Sequence, residues 1–147
     1  MGLEQKLVDD MKSAMKSGDK MVLGTIRMLR AQLKNASIAK GKDLSDEDVI
    51  DILSREAKKR KESLELYKKG GRADLVEKEE KELAIITSYL PEQLSQDEIE
   101  KIVDEIIAET GAESLRDMGK VMGAVMQKVK GRADGKIVQE IVKKKLS

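Results

Sequence analysis

Apolar residues recur at every third or fourth position along most of the chain, and no segment shows the alternating pattern of a half-buried strand. Glycines, capping residues and one proline separate these segments. We therefore predict an all-α protein of seven helices. The predicted helices begin near residues 3, 20, 46, 74, 96, 115 and 135. Among the expected inward-facing positions are Met15, Ile38 and Ile137.

The predicted helix starts carry side chains that can accept a hydrogen bond from the first helical turn. Asp19 and Asp134 stand at two of these positions, and Ser114 is expected to open the sixth helix. Capping boxes are predicted in the runs 45–48 and 95–98. Pro91 disfavours the α conformation of the residue before it, so the fourth helix should end at Leu90.

The loop around residues 90–95 is the best boundary between two parts of the chain. It separates four longer helices from three shorter ones. We predict an N-terminal helical domain over residues 1–91 and a C-terminal three-helix domain over residues 92–147.

The sixth predicted helix contains Gly119 and Gly123, four residues apart, between apolar residues at helical spacing. Each glycine costs about 1 kcal/mol relative to alanine in a helix interior. Their presence indicates that another group approaches the bare backbone closely. The group could be another helix of this protein or an external ligand, and the spacing favours neither.

The C-terminal part is electrically polarised although the whole chain has a formal net charge of +1. Residues 92–117 carry a net charge of −7, and residues 118–147 carry +6. Backbone amides near Gly131, together with neighbouring cations, could hold a phosphate. The alternative is that these cations only complement a helix dipole or are solvated. The candidate RNA-binding residues are Lys120, Lys128, Lys130, Arg132 and Lys136, with Gly119, Gly123 and Gly131 as close-approach positions.

A second basic cluster lies in the third predicted helix. Helical geometry spreads these residues around the cylinder, where Glu56, Glu62 and Glu65 can pair with them. We favour a solvated face over a binding site. The members are Arg55, Lys58, Lys59, Arg60 and Lys61.

The composition excludes several chemistries. The chain has no Cys and no His, so thiolate nucleophiles, Ser-His-Asp triads and imidazole metal ligands are excluded. Its carboxylates form no recognisable acid–base pair, and we predict no catalytic residue, cofactor or metal. The longest apolar run has four residues, far short of the roughly 20 that a membrane span needs. We expect a cytoplasmic protein that does not bind membranes.

Several motifs resemble a known family. The runs 118–123 and 131–134 and the last helix are similar to the tail domain of GatB, a subunit of tRNA-dependent amidotransferase. The runs 59–63, 71–75 and 89–95 resemble the free-standing, bacterial YqeY family over essentially the whole chain. The resemblance implies a helical N-terminal domain, a three-helix C-terminal domain and a grip on tRNA.

Three functions follow from the resemblance. The first is a non-catalytic tRNA-binding or tRNA-associated accessory protein that contacts the phosphate backbone. The second is a protein–protein adaptor for an aminoacyl-tRNA synthetase or amidotransferase subunit. The third, less favoured, is a part in carbon–nitrogen ligase activity with glutamine as amido-N-donor, for which the chain lacks the glutaminase and cradle machinery.

Overall fold

A computed structural model of the chain describes residues 2–147, and within that range its regular structure is entirely helical. The all-α prediction with seven α-helices is confirmed for these residues. A single 3-10 turn, Leu115–Asp117, precedes the sixth helix. The helices are α1 (Leu3–Ser17), α2 (Lys20–Lys40), α3 (Asp46–Lys69), α4 (Ala73–Thr87), α5 (Gln96–Thr110), α6 (Met118–Val129) and α7 (Gly135–Leu146).

The helix starts are built as the sequence predicts. The Asp19 carboxylate accepts a hydrogen bond from the Val22 amide at 3.1 Å. Complete capping boxes open α3 at Ser45 and α5 at Ser95. Asp134 accepts from the Lys136 amide at 2.9 Å. These bonds satisfy amides that have no partner within their own helix.

Two predicted helix boundaries are wrong. The helix α4 ends at Thr87 and not at Leu90. After Thr87, the Tyr89 amide donates to the Ile86 carbonyl at 3.1 Å and the Leu90 amide donates to the Thr87 carbonyl at 3.0 Å, which is the tighter 3-10 pattern. Ser114 opens the 3-10 turn and not α6 itself, since the Asp117 amide bonds the Ser114 carbonyl in the tighter pattern.

The chain divides into two compact units, residues 1–90 and 91–147. In the first unit α3 packs mainly against α4, and α1 packs mainly against α2. The phenol of Tyr89 donates a hydrogen bond to Asp10 at 2.5 Å, which joins the end of the unit to α1. The buried core of this unit comprises Leu7, Ile26, Leu29, Leu33, Val49, Leu53, Ala57, Ile86 and Tyr89.

The second unit packs α6 against both α5 and α7. Three valines of α6, spaced four residues apart, are completely buried in its centre. Burying side chains of this size contributes roughly 1.5–3 kcal/mol each. The core comprises Ile99, Val103, Ile106, Val121, Val125, Val129, Val138, Ile141, Val142 and Leu146.

Three apolar side chains expected to face inward are exposed instead. Met15 is 54% exposed, Ile38 is 68% exposed and Ile137 is 43% exposed. All three lie in the first or last turn of a helix, where fewer neighbours cover the surface. Because α2 has 21 residues and α1 has 15, Ile38 stands in a last turn that the shorter helix does not cover.

Candidate interaction face of the second unit

Two opposite sides of α6 have different surroundings. Val121, Val125 and Val129 are fully buried on the inner side. Gly119 and Gly123 are exposed on the outer side. A β-carbon added to either glycine would meet no heavy atom within 4 Å beyond the helix's own backbone. Within the second unit, residues 91–147, no neighbouring helix therefore requires these two glycines, and packing inside that unit does not account for them.

Gly135 provides a contrast in the same unit. A β-carbon there would lie 3.5 Å from the Met126 methyl carbon, an ordinary van der Waals contact, so this position faces a neighbouring side chain and not open space. Gly24 of α2 is also open, with nothing within 4 Å, but it stands alone on its helix. The pair in α6 is distinctive because two open glycines fall on one side of one helix.

The outer side of α6 forms a strip of Gly119, Gly123 and Gln127, each four residues from the next. We call these three residues the glycine strip. Half-buried Met122 and Met126 lie along one flank, and exposed Lys120 lies along the other. At Gly119 and Gly123 the strip thus presents bare backbone between flexible apolar side chains and a cation.

The candidate residue Arg132 is already used within the unit. Its side-chain Nε donates to the Glu92 carbonyl at 3.4 Å, and its own carbonyl accepts from the Leu94 amide at 2.8 Å. The side-chain amide of Gln93 also donates to the Gly131 carbonyl at 2.8 Å. Gly131 itself has a φ of +76°, which favours glycine. This loop therefore holds the segment before α5 in place.

The other candidate cations are spread around the unit. Lys128, Lys130 and Lys136 are all exposed. Lys128 lies five residues after Gly123, which places it roughly 140° around the helix. Only Lys120 of the predicted cations stands beside the glycine strip. Helix spacing could have shown this separation from the sequence, whereas the bonds of Arg132 to residues 40 positions away could not have been predicted.

The second basic cluster also separates into two kinds of residue. Arg60 is half-buried, with its guanidinium 3.0 Å from Glu56 and 3.3 Å from Glu79, and it also contacts Glu82. Gln32 donates to Glu56 at 3.1 Å. Arg60 thus joins α3 to α4 as a structural ion cluster. The remaining members are exposed: Arg55, Lys58, Lys59 and Lys61.

The perturbed carboxylates belong to helix starts. A hydrogen bond from the Lys40 ammonium, together with one from the Ser45 amide, lowers the pKa of Asp48 to about 2. The Ser95 amide lowers the pKa of Glu98, and the Glu113 amide lowers that of Asp117. These shifts favour the charged, capping form. Burial raises the pKa of the Tyr89 phenol, and the hydrogen bond to Asp10 adds to that effect.

Among the described residues, no group of three acidic side chains is arranged to hold a metal ion. No helix in that range is both long and apolar enough to cross a bilayer.

Comparison with known proteins identifies the family. The family model described as Yqey-like protein matches residues 4–146. The chain belongs to the YqeY family.

Curated relatives of this YqeY chain come from fungi. A Lachancea thermotolerans protein named altered inheritance of mitochondria protein 41, mitochondrial, is 44% identical over 57% of this chain and 46% of its own length. Its namesake from Pyrenophora tritici-repentis is 34% identical over 67% of this chain and 55% of its own length. An uncharacterized protein of Schizosaccharomyces pombe is 33% identical over 63% of this chain and 72% of its own length. The chain spans about half the length of the two relatives named for mitochondrial inheritance.

These relatives correct the function expected from the sequence. Their names concern mitochondria or state no function, and do not describe tRNA binding or amidotransferase activity. The prediction of a tRNA-binding or amidotransferase-related accessory protein is therefore wrong. The expected bacterial character is likewise not supported by eukaryotic relatives.

Proposed function

We propose that this YqeY chain is a non-catalytic protein-interaction module whose second unit binds one helix of a partner protein on the glycine strip. The observation that carries the proposal is the open space beside Gly119 and Gly123. A partner helix can approach bare backbone more closely than it can approach a residue with a side chain. Contact with a partner would offset the cost of roughly 1 kcal/mol that each glycine imposes on α6.

The flanks of the strip indicate the chemistry of the partner. Met122 and Met126 are half-buried, and methionine adapts its shape to apolar surfaces that it binds. Lys120 is exposed on the other flank, within a segment of net charge +6. A partner helix with small and apolar residues at its centre and acidic residues at one edge would complement this arrangement.

The same flanks favour a protein helix over a nucleic acid. Nucleic-acid strands are bound through cations and aromatic stacking platforms, but methionines line this strip and the chain has only two aromatic residues. Among the candidate cations, Arg132 is directed to a backbone carbonyl of its own unit. Lys120 lies at the rim of the proposed site, where it can contact the partner. Lys128, Lys130 and Lys136 contribute to the positive charge of the unit.

The non-catalytic part of the proposal rests on the available side chains. Without His or Cys, acid–base or nucleophilic chemistry would fall to carboxylates, lysines or hydroxyls. The carboxylates with shifted pKa all have lowered values and lie at exposed helix starts, whereas the pKa of a general base is tuned toward neutral pH.

We also propose a cytoplasmic location for the protein. The names of the relatives suggest mitochondria as the alternative compartment.

A selection experiment tests the helix-binding site. A displayed library of helical peptides is selected on the wild-type chain and counter-selected on Gly119→Leu and Gly123→Leu variants. We expect acidic peptides with small central residues, whose affinity falls at least tenfold on each variant. Gly24→Leu is the matched control, because it fills an open helical glycine in the other unit and should leave binding unchanged.

Three results would contradict parts of the proposal. Selected peptides that bind wild type and both α6 variants equally would remove the glycine strip as a site. Ammonia release from glutamine by the purified chain would disprove the non-catalytic part. Labelled tRNA that binds the wild type and is lost from the Gly123→Leu variant would assign the strip to nucleic acid instead.

A further inference from the structure

A groove of about 510 Å³ runs between α1 and α2 in the first unit. We call it the α1–α2 groove. Its floor includes fully or nearly buried leucines of both helices, and its accessible apolar surface includes Val8 and Ile38. Ile38 is 68% exposed, although isoleucine is among the residue types most often found inside proteins. The groove therefore leaves uncovered a surface that a partner could bury.

Cations line the α2 side of the groove. Arg27, Arg30 and Lys34 are exposed, and Glu4 is the single acidic side chain that lines the groove. Arg30 donates to the Met11 sulfur at 3.4 Å. Within residues 2–147, neither Arg27 nor Lys34 forms an ion pair. The positive charge on this rim is thus not neutralised by the fold.

The lining residues of α2 form a straight stripe. Arg27, Ala31, Lys34 and Ile38 follow one another at steps of four, three and four residues, which keeps them on one side of a helix. The stripe covers about 16 Å at 1.5 Å per residue. Its length and straightness match about three turns of a second helix lying parallel or antiparallel to α2. Ala31, near the middle, lets such a helix approach closely.

We propose that the α1–α2 groove binds an acidic amphipathic helix of a partner protein. The apolar face of that helix covers Val8, Ala31 and Ile38, and its carboxylates face Arg27, Arg30 and Lys34. Charge complementarity requires a negatively charged partner, and the shape of the groove requires that the partner be helical. This site lies in the first unit and goes beyond the proposed function of the glycine strip, so each can fail without the other.

A helix fits the groove better than a phosphate-rich ligand does. A nucleic-acid backbone would bring negative charge toward the three cations but would leave Ile38 and Val8 facing charged or strongly hydrated groups. An amphipathic helix satisfies both parts of the surface at once. Exposed apolar surface within a polar rim is a common mark of protein-binding sites.

A designed peptide tests the groove in the full chain. The probe is a helical peptide of about 14 residues with leucines on one face and glutamates beside them, long enough to span the stripe. Its matched control replaces the glutamates with glutamines. Binding to isotope-labelled protein is followed by amide chemical shifts. We expect shifts at Val8, Ala31 and Ile38, and at least tenfold weaker binding of the glutamine peptide.

Protein variants separate charge from apolar contact. Two variants should each weaken peptide binding at least tenfold: Arg27→Glu combined with Lys34→Glu, and separately Ile38→Asp. All three positions are exposed, so the substitutions should not unfold the protein. The control is Arg55→Glu combined with Lys59→Glu on α3, which reverses the same number of exposed charges outside the groove. Gly123→Leu should leave groove binding unchanged, so failure of this proposal is distinguishable from failure of the glycine strip.

Three results would overturn the inference. Equal binding of the glutamate and glutamine peptides would remove the charge argument. Chemical shifts confined to residues 118–147 would place the peptide on the other basic surface. Binding of labelled tRNA at Val8 and Ile38, competing with the peptide, would show that the groove takes nucleic acid.

Discussion

Arg60 and the glycine strip have opposite relations to the fold, although the sequence offers both as candidate binding features. The guanidinium of Arg60 lies among three carboxylates that α3 and α4 supply, so the fold uses its charge completely. Gly119 and Gly123 leave space that no residue of the second unit fills. Residue type alone did not distinguish the two cases. What distinguishes them is whether the protein already contains the partner.

The largest expected effect is the loss of stability when Arg60 is removed from its ion cluster. Arg60→Met leaves Glu56, Glu79 and Glu82 close together, with side chains only 9%, 14% and 12% exposed. Removing one partner of a buried ionic group costs about 3–5 kcal/mol. We expect a loss of that order in the free energy of unfolding, measured with urea. Lys59→Met, on the adjacent exposed residue, should change it by less than about 0.5 kcal/mol.

A second change distinguishes charge from packing at this cluster. Adding Glu82→Gln to the Arg60→Met variant removes one uncompensated carboxylate and should recover part of the lost stability. A loss for Arg60→Met no larger than that of the Lys59 control would mean that the cluster is solvated, and the contrast with the glycine strip would disappear.

Adding side chains at the glycines of the strip should raise the free energy of unfolding, whereas loss of Arg60 lowers it. Gly119→Ala and Gly123→Ala add a methyl group that meets nothing within 4 Å and remove backbone freedom from the unfolded chain. Each should therefore stabilise the protein by about 0.5–1 kcal/mol. Thermal and urea unfolding measure the gain. Gly135→Ala is the comparison and should give a smaller gain, because Gly135 is the first residue of α7 and not an interior position of the helix.

The sequence could predict what depends on neighbouring residues. The capping boxes at Ser45 and Ser95, the buried valine stripe of α6 and the four-residue spacing of its glycines are all local patterns, although the open space beside those glycines is not. It could not predict that Arg132 bonds the Glu92 carbonyl or that Arg60 meets Glu79, because those partners depend on how separate helices pack. The exposed Ile38 was missed for the same reason, since its cover depends on the length of a different helix.

The smallest effect concerns the capping carboxylate of α3. The pKa of Asp48 is lowered in the folded protein, to about 2, so its contribution to stability is present above the unfolded value near 3.8. That contribution should disappear as the pH falls from 4 toward 2. The stability difference between wild type and Asp48→Asn, measured by unfolding at each pH, should shrink over this range. A difference that stays constant would mean that Asp48 is not held in its charged form.

The most direct test of the central claim is a paired measurement on Gly123→Leu, with Gly24→Leu as control. Both substitutions fill open helical positions, so both should keep or raise the free energy of unfolding, by up to about 1 kcal/mol. Only Gly123→Leu should weaken, at least tenfold, the binding of a peptide selected on the wild-type glycine strip. A destabilised Gly123→Leu variant, or one that binds the peptide as well as wild type does, would contradict the account.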